Sequence, residues 1–312
     1  RGAAAKIICN LILGPTTASA LVADAAPYKD VPTNHTFAGY IAYCQKEGII
    51  SGYADGTFRP ANSLTGYAFM KMLLGALGYD AEVEGYTGPN WSVNVAKRAL
   101  NIGLADDLNG EFNGVKAVNR EEACLYALNT LTADMVEYDA KTTVSTNGTT
   151  VVIAGSKAKE MVNNGNTDGK IFTKDGVMQF AEKYFDNLTV KTGSDDFSRP
   201  ANVWKVKAEE IGTYTNTPDA SYTKKVEVGD IYKDLGLGSK IEKKNVSVYV
   251  DGVANASQPA YAITKGDDAN KYGDNGVLTE VFYDDDAETV TITEINTYIG
   301  SINKTVKATD KK

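Results

Sequence analysis

The 312-residue chain has one histidine and three cysteines, and both scarcities exclude chemistry. A lone histidine, His35, rules out a zinc site built on several histidines, and it leaves a Ser-His-Asp triad no support beyond one candidate residue. Cys9, Cys44 and Cys124 are odd in number and show no C-x-x-C spacing, so the expected role is that of small buried hydrophobes. No run of about 18 apolar residues occurs, so no membrane span is expected; no charged segment with an apolar core and cleavage site marks a signal peptide. Positive charge is also in short supply: 32 Lys and Arg against 40 Asp and Glu leave a net charge of −8. That field does not favour nucleic acid or an anionic membrane, and an anionic ligand has to be held by local cations.

What is present is the composition of a folded protein, 43% hydrophobic and 23% charged, in a chain too long for one core. Three segments align without gaps: R-G-A-A-A-K-I-I-C-N-L-I-L-G (1–14), T-G-Y-A-F-M-K-M-L-L-G-A-L-G (65–78) and N-R-E-E-A-C-L-Y-A-L-N-T-L (119–131). In the second, Phe69, Met72, Leu73, Ala76 and Leu77 form the i, i+3, i+4, i+7, i+8 stripe of a core-facing helix. Ala4, Ile7, Ile8 and Ile12 repeat it, as do Ala123, Tyr126, Ala127 and Leu131. Thr65 and Asn119 are placed as N-caps, with Glu122 set to close a capping box. Cys9 aligns with Leu74, and Cys124 with Met70, both apolar positions. A second helix precedes each complete copy, over 35–47 and 90–102, stopped by Gly48 and Gly103. Between the helices lie the turn formers Asp55-Gly56 and Asn109-Gly110, each followed by an aromatic anchor, Phe58 or Phe112. Units this small bury too little surface alone, so the copies must share a core.

The combination of Y-K-D-V-P (28–32), E-G-I-I (47–50), D-G-T-F-R-P (55–60) and L-T (64–65) resembles the S-layer homology repeat. On that resemblance residues 1–26 are the end of a first repeat, 27–84 a second and 85–135 a more divergent third, so the chain reads as a piece of a longer protein. The resemblance implies a pseudo-threefold, all-α bundle holding a bacterial surface protein to an acidic secondary cell-wall polysaccharide, with sugar bound in grooves between repeats. The motif arginine falls on Arg1 and on Arg120, followed by Glu121; the second copy has Gly66 there. The family's tryptophan position is filled by Trp91 in the third copy and by Thr36 in the second.

A planar guanidinium suits a carboxylate-bearing sugar better than an ammonium does. Arg120 is therefore the leading ligand contact, with Arg1, Arg59, Asp55, Gly56, Glu121 and Trp91 as further candidates. Each has a plainer reading: Arg120 as a helix-surface residue paired with Glu121, Arg59 as a loop brace, Asp55-Gly56 as a tight turn, Trp91 as a plug between repeats.

After Leu131 the pattern turns to Thr- and Val-rich alternation. Asn147-Gly148 is a hairpin signal between two strand-like runs. Residues 136–312 are expected to form one or two β-rich α+β or sandwich-like modules, divided near 240. Strands are expected at 187–192, 202–207, 245–250, 277–283 and 288–298, a helix at 175–185, and a Lys-rich tail at 300–312. Glu209-Glu210 and Asp195-Asp196 point apart on a strand and give no acid–nucleophile pair. The expected function is non-catalytic anchoring outside the cell, on the wall or surface layer of a Gram-positive-type bacterium. The partner is the secondary wall polysaccharide, with self-association into a lattice open, and no cofactor is needed. Two alternatives stand: the anchor and accessory module of a surface carbohydrate-active enzyme, and an adhesin stabilised by calcium at Asp284, Asp285, Asp286 and Glu288.

Overall fold

The computed structural model describes residues 1–139, 142–146, 149–153, 157–254 and 257–300. These form α-helices and several sheets in two compact units, residues 1–189 and 190–312.

In the first unit the periodic segments become α1 (Gly2–Ser19), α2 (Ala38–Lys46), α3 (Gly66–Ala76), α4 (Trp91–Asn101) and α5 (Arg120–Thr132). Helix α1 runs past the aligned segment but kinks at Gly14, φ 74°, because Pro15 has no N–H to continue the ladder. The Thr65 hydroxyl accepts from Ala68 N at 3.4 Å, and Asn119 and Glu122 close the full capping box on α5. Helix α3 is central. It packs against α1, α4 and α5, and its whole predicted stripe, from Phe69 to Leu77, is buried. At about 1.5–3 kcal/mol for each large apolar side chain taken from water, this shared interior makes the short helices stable together.

Helix α5 is shallower. Tyr126 is the one stripe residue it fully buries, and Cys124 is exposed, against the expectation drawn from its alignment with Met70. Met70 is buried because α3 has neighbours on several sides. Cys9 and Cys44 are buried as expected, with their sulfurs 3.6 Å apart.

The unit is not purely helical, and it extends beyond the division expected near residue 135. β1 (Val136–Glu137) pairs with a later strand; β2 (Thr142–Thr146) and β3 (Thr149–Ile153) form an antiparallel hairpin, whose Asn147-Gly148 turn lies outside the described residues. The partner of β1 is β4 (Lys159–Glu160). Val136 N donates to Leu77 O at 3.0 Å and Phe180 N to Ala133 O at 3.0 Å; Met135, Val136 and Phe180 are buried in the helical core. That packing carries residues 136–189 into the first unit. The helix expected at 175–185 shrinks to α6 (Phe180–Tyr184), because Val162 and Val177 form a β-bridge and Gly176 has φ 77°.

From α6 the carboxylate of Glu182, only 2% exposed, holds the loop at 163–176. One oxygen accepts from Gly169 N, Lys170 N and Ile171 N at 2.9, 3.1 and 3.3 Å, and the other accepts from Asn163 Nδ2 at 2.6 Å.

The second unit starts within β5 (Leu188–Ser194), which forms a three-stranded sheet with β6 (Pro200–Val206) and β7 (Glu209–Thr215). Then follow β8 (Ala220–Tyr222), β9 (Val226–Glu227), α7 (Val228–Asp234), β10 (Val246–Val250), β11 (Val253–Ala254), β12 (Lys271–Tyr272), β13 (Val277–Asp284) and β14 (Thr289–Asn296). The five-stranded sheet has the order β11-β10-β14-β13-β8, and β9 pairs with β12. Strands from both sides of residue 240 thus share a sheet. They also share a core, in which Val228 and Ile231 meet Val248, Val281 and Ile292, so the division expected near 240 does not occur. Asp251 and Gly252, at φ 48° and 81°, make the two-residue turn between β10 and β11. Asp195 sits in a turn rather than on a strand, accepting from Phe197 N and Arg199 N.

Candidate functional site

The site is built around the loop at 52–60. Gly56 N donates to Tyr53 O, and Tyr53 N to Thr57 O, closing a turn in which Gly56 takes φ 81°. Asp55 is spent inside this loop: it accepts from Thr57 N and Oγ1 and pairs with Arg59 at 2.8 Å. The Thr57 bonds, then Arg59, lower its pKa to about 2. Phe58 is buried and stacks on Tyr28 with ring centroids 5.3 Å apart.

Asp30 clamps the loop from outside. Its two oxygens accept from Phe58 N and Arg59 N, each at 2.7 Å. Burial opposes ionisation of Asp30, but these amide bonds outweigh it and hold the carboxyl below the usual carboxylate range. A carboxylate so favoured in the folded state supports the loop fully above the ordinary Asp pKa of about 3.9, and that support disappears as pH falls through the lowered value. Asp30→Ala is expected to speed amide exchange at Phe58 and Arg59 by about tenfold to a hundredfold, since each lost charge-assisted bond contributes roughly 1.5–3 kcal/mol. Hydrogen exchange followed residue by residue checks this, and unchanged rates at both amides would refute the clamp.

Arg1 meets this loop from the start of α1. Its backbone nitrogen donates to Asn62 O and Gly2 N to Pro60 O, both at 2.9 Å. Its Nε donates to Phe58 O at 2.8 Å, and its guanidinium carbon lies 4.9 Å from the Tyr53 ring centre and 4.5 Å from that of Phe58. Arg59 approaches the same Tyr53 ring at 4.1 Å. Beside these groups opens a groove of about 480 Å³ that also reaches Lys71, Tyr86 and Trp91, with hydroxyls from Ser51, Ser63, Thr65 and Thr87. No Asp or Glu is among its lining residues. The Lys71 ammonium donates to Tyr86 O at 2.7 Å and lies 5.8 Å from the Trp91 ring centre; burial pushes its pKa below the usual lysine range.

The start of α3 makes the same backbone contacts without the cation. Gly66 N donates to Lys116 O and Tyr67 N to Gly114 O, matching Arg1 and Gly2 against the 60–62 segment. A Cβ on Gly66 would lie 3.0 Å from Gly114 Cα and 3.1 Å from Asn113 O, so this helix start is packed too closely for arginine without a shift. Tyr67 fills the place, edge-on to Trp91 and Phe112.

Of the residues proposed from sequence, the structure brings Arg1 and Trp91 to one groove and sets Arg59, Asp55 and Gly56 in the adjoining loop. Arg120 and Glu121 are exposed on the first turn of α5, outside the groove lining. Sequence reasoning passed over Lys71 and Tyr53. The signal for Lys71 was there: it is the one charged residue between Arg59 and Asp80, inside an otherwise apolar helix. At the hairpin tip, Asp284 caps Ala287 N and Asp285 accepts from Tyr283 Oη; among the described residues no group of three metal-ligating side chains is gathered anywhere.

The family model of the S-layer homology domain matches residues 27–66, the stretch from Pro27 through the groove loop to the start of α3. The chain carries an S-layer homology domain. It is also similar to a cell surface protein of Thermoanaerobacter kivui, 27% identical over 199 residues covering 55% of this chain and 25% of the relative. A surface layer protein of Brevibacillus choshinensis is 24% identical over 280 residues, 76% of this chain and 24% of the relative. An endoglucanase of Bacillus sp. (strain KSM-635) is 26% identical over 188 residues, 56% of this chain and 20% of the relative. The chain thus spans about a quarter of the length of these relatives or less. No described helix is long and apolar enough to cross a membrane.

Proposed function

We propose that the S-layer homology region anchors a bacterial surface protein to the wall by binding an acidic secondary cell-wall polysaccharide in the Arg1–Trp91 groove, without catalysis. The observation that carries this is a guanidinium held against two aromatic rings in a groove whose lining contains no carboxylate, in a protein of net charge −8. An acidic sugar supplies the missing anion, and its ring and hydroxyls suit Trp91 and the Ser and Thr side chains. Kinship with surface layer and cell surface proteins supports the same location.

In this reading residues 1–26, 27–84 and 85–135 act as three copies about a pseudo-threefold axis on a Gram-positive-type wall. The β-rich residues are displayed outward. The match to an endoglucanase favours a second reading, in which the same anchor serves a surface carbohydrate-active enzyme.

The test is retention on purified sacculi with and without the acidic polymer. Binding is expected to the untreated wall, to weaken as salt is raised, and to disappear on the stripped wall. Equal retention on both walls would overturn polymer recognition.

A further inference from the structure

Resting on that reading of the groove, we propose that Lys71 is a second ligand-binding cation in the Arg1 groove. Two other half-buried cations have carboxylate partners, Arg98 with Glu84 at 3.3 Å and Arg199 with Asp195 at 2.8 Å and Glu280 at 3.2 Å, whereas half-buried Lys170 donates to Asp186 O at 2.6 Å. Lys71 and Arg1 have no carboxylate partner among the described residues, and both line one groove without an acidic side chain. An ammonium has three donors, and one is taken by Tyr86 O. Holding a charge half-buried without a counter-ion is costly, and the cost is offset when an anion binds.

The geometry of α3 explains the placement. Its first residue must be small because Gly114 and Asn113 crowd it, and Tyr67 closes that side against Phe112. Lys71 lies five residues on, about one and a half helical turns, and its side chain reaches the groove that Arg1 enters from α1. The two repeats therefore contribute two cations to one groove. The class of ligand this fits is a glycan segment whose anionic group is shared by a guanidinium and an ammonium, with a sugar ring beside Trp91.

The probe is untreated sacculi carrying the acidic polymer, bound by the full chain. Lys71→Met keeps the length and apolar stem of the side chain; it is expected to weaken retention by about tenfold and to flatten its salt dependence. Lys71→Arg is expected to stay within about threefold of the parent, since it keeps the charge. Independently, in the unmodified protein, wall binding is expected to cut acylation of Lys71 by an amine-reactive ester by about fivefold, read by peptide mass spectrometry, while Lys46 on α2 labels as before. Lys71→Met binding as tightly as the parent while Arg1→Met binds weakly would overturn this inference and leave the anchoring reading intact. Unprotected Lys71 on the bound protein would overturn it even where Lys71→Met fails to fold. Loss of the difference between untreated and stripped walls in the parent protein would remove both.

Discussion

Glu182→Ala is expected to destabilise the first unit by about 2–4 kcal/mol, because it removes a buried acceptor and with it the bond of Ile171 N, while Lys170 N and Asn163 Nδ2 keep bonds to Thr167. Glu182 takes the amides of Gly169, Lys170 and Ile171 on one oxygen and the side-chain amide of Asn163 on the other. Asn163 is itself buried, and its own oxygen accepts from Gly165 N, so losing Glu182 loosens both ends of the loop. Glu182→Gln retains one acceptor oxygen but turns an NH2 group toward donors, and should cost about 2 kcal/mol. Urea unfolding followed by far-ultraviolet circular dichroism measures both. A Glu182→Ala midpoint within error of the parent would show that the loop is held by something other than this carboxylate.

Arg1→Met is expected to lower retention on untreated sacculi about tenfold to a hundredfold, the equivalent of one charge-assisted contact of roughly 1.5–3 kcal/mol. The side chain is held in place before any ligand arrives, by Phe58 O and the faces of Tyr53 and Phe58, so little rotamer entropy remains to be lost on binding. Arg1→Lys should recover only part of the loss, because an ammonium cannot present the planar fork between those rings. Arg120→Ala provides the contrast. Arg120 is exposed at the start of α5, outside the groove, and its loss should change retention by less than about twofold. An equal loss from Arg1→Met and Arg120→Ala would show that the groove is not what the wall polymer reads.

Much of the helical unit was legible because its cues are local. The stripe from Phe69 to Leu77 states which face of α3 is buried, and Asn119 with Glu122 states where α5 begins; both hold in the structure. Strands β10, β13 and β14 were likewise readable from alternation near 246–250, 277–284 and 289–296. The short pairings were not. Two-residue strands such as β9 and β12 have no periodicity to detect, and they exist because distant backbone comes alongside. The fate of residues 136–189 was hidden for the same reason: nothing near Met135 or Phe180 in the chain indicates that both pack into the interior of the helices.

The chain by itself determined the buried faces of its helices, the turn at Asp55-Gly56 and the scarcity of cations that makes each one worth locating. Tertiary structure alone decided which of them share a groove. Arg1 and Arg120 are equivalent in the alignment, yet only Arg1 has Phe58 O and two rings around it; Lys71 reads as one residue of an apolar helix until the fold sets it beside Trp91. Hydrophobic periodicity is written into neighbouring residues because it concerns one helix and its own faces. A binding groove is made where separate helices and a loop meet, and the charges it gathers are known only when those elements have packed.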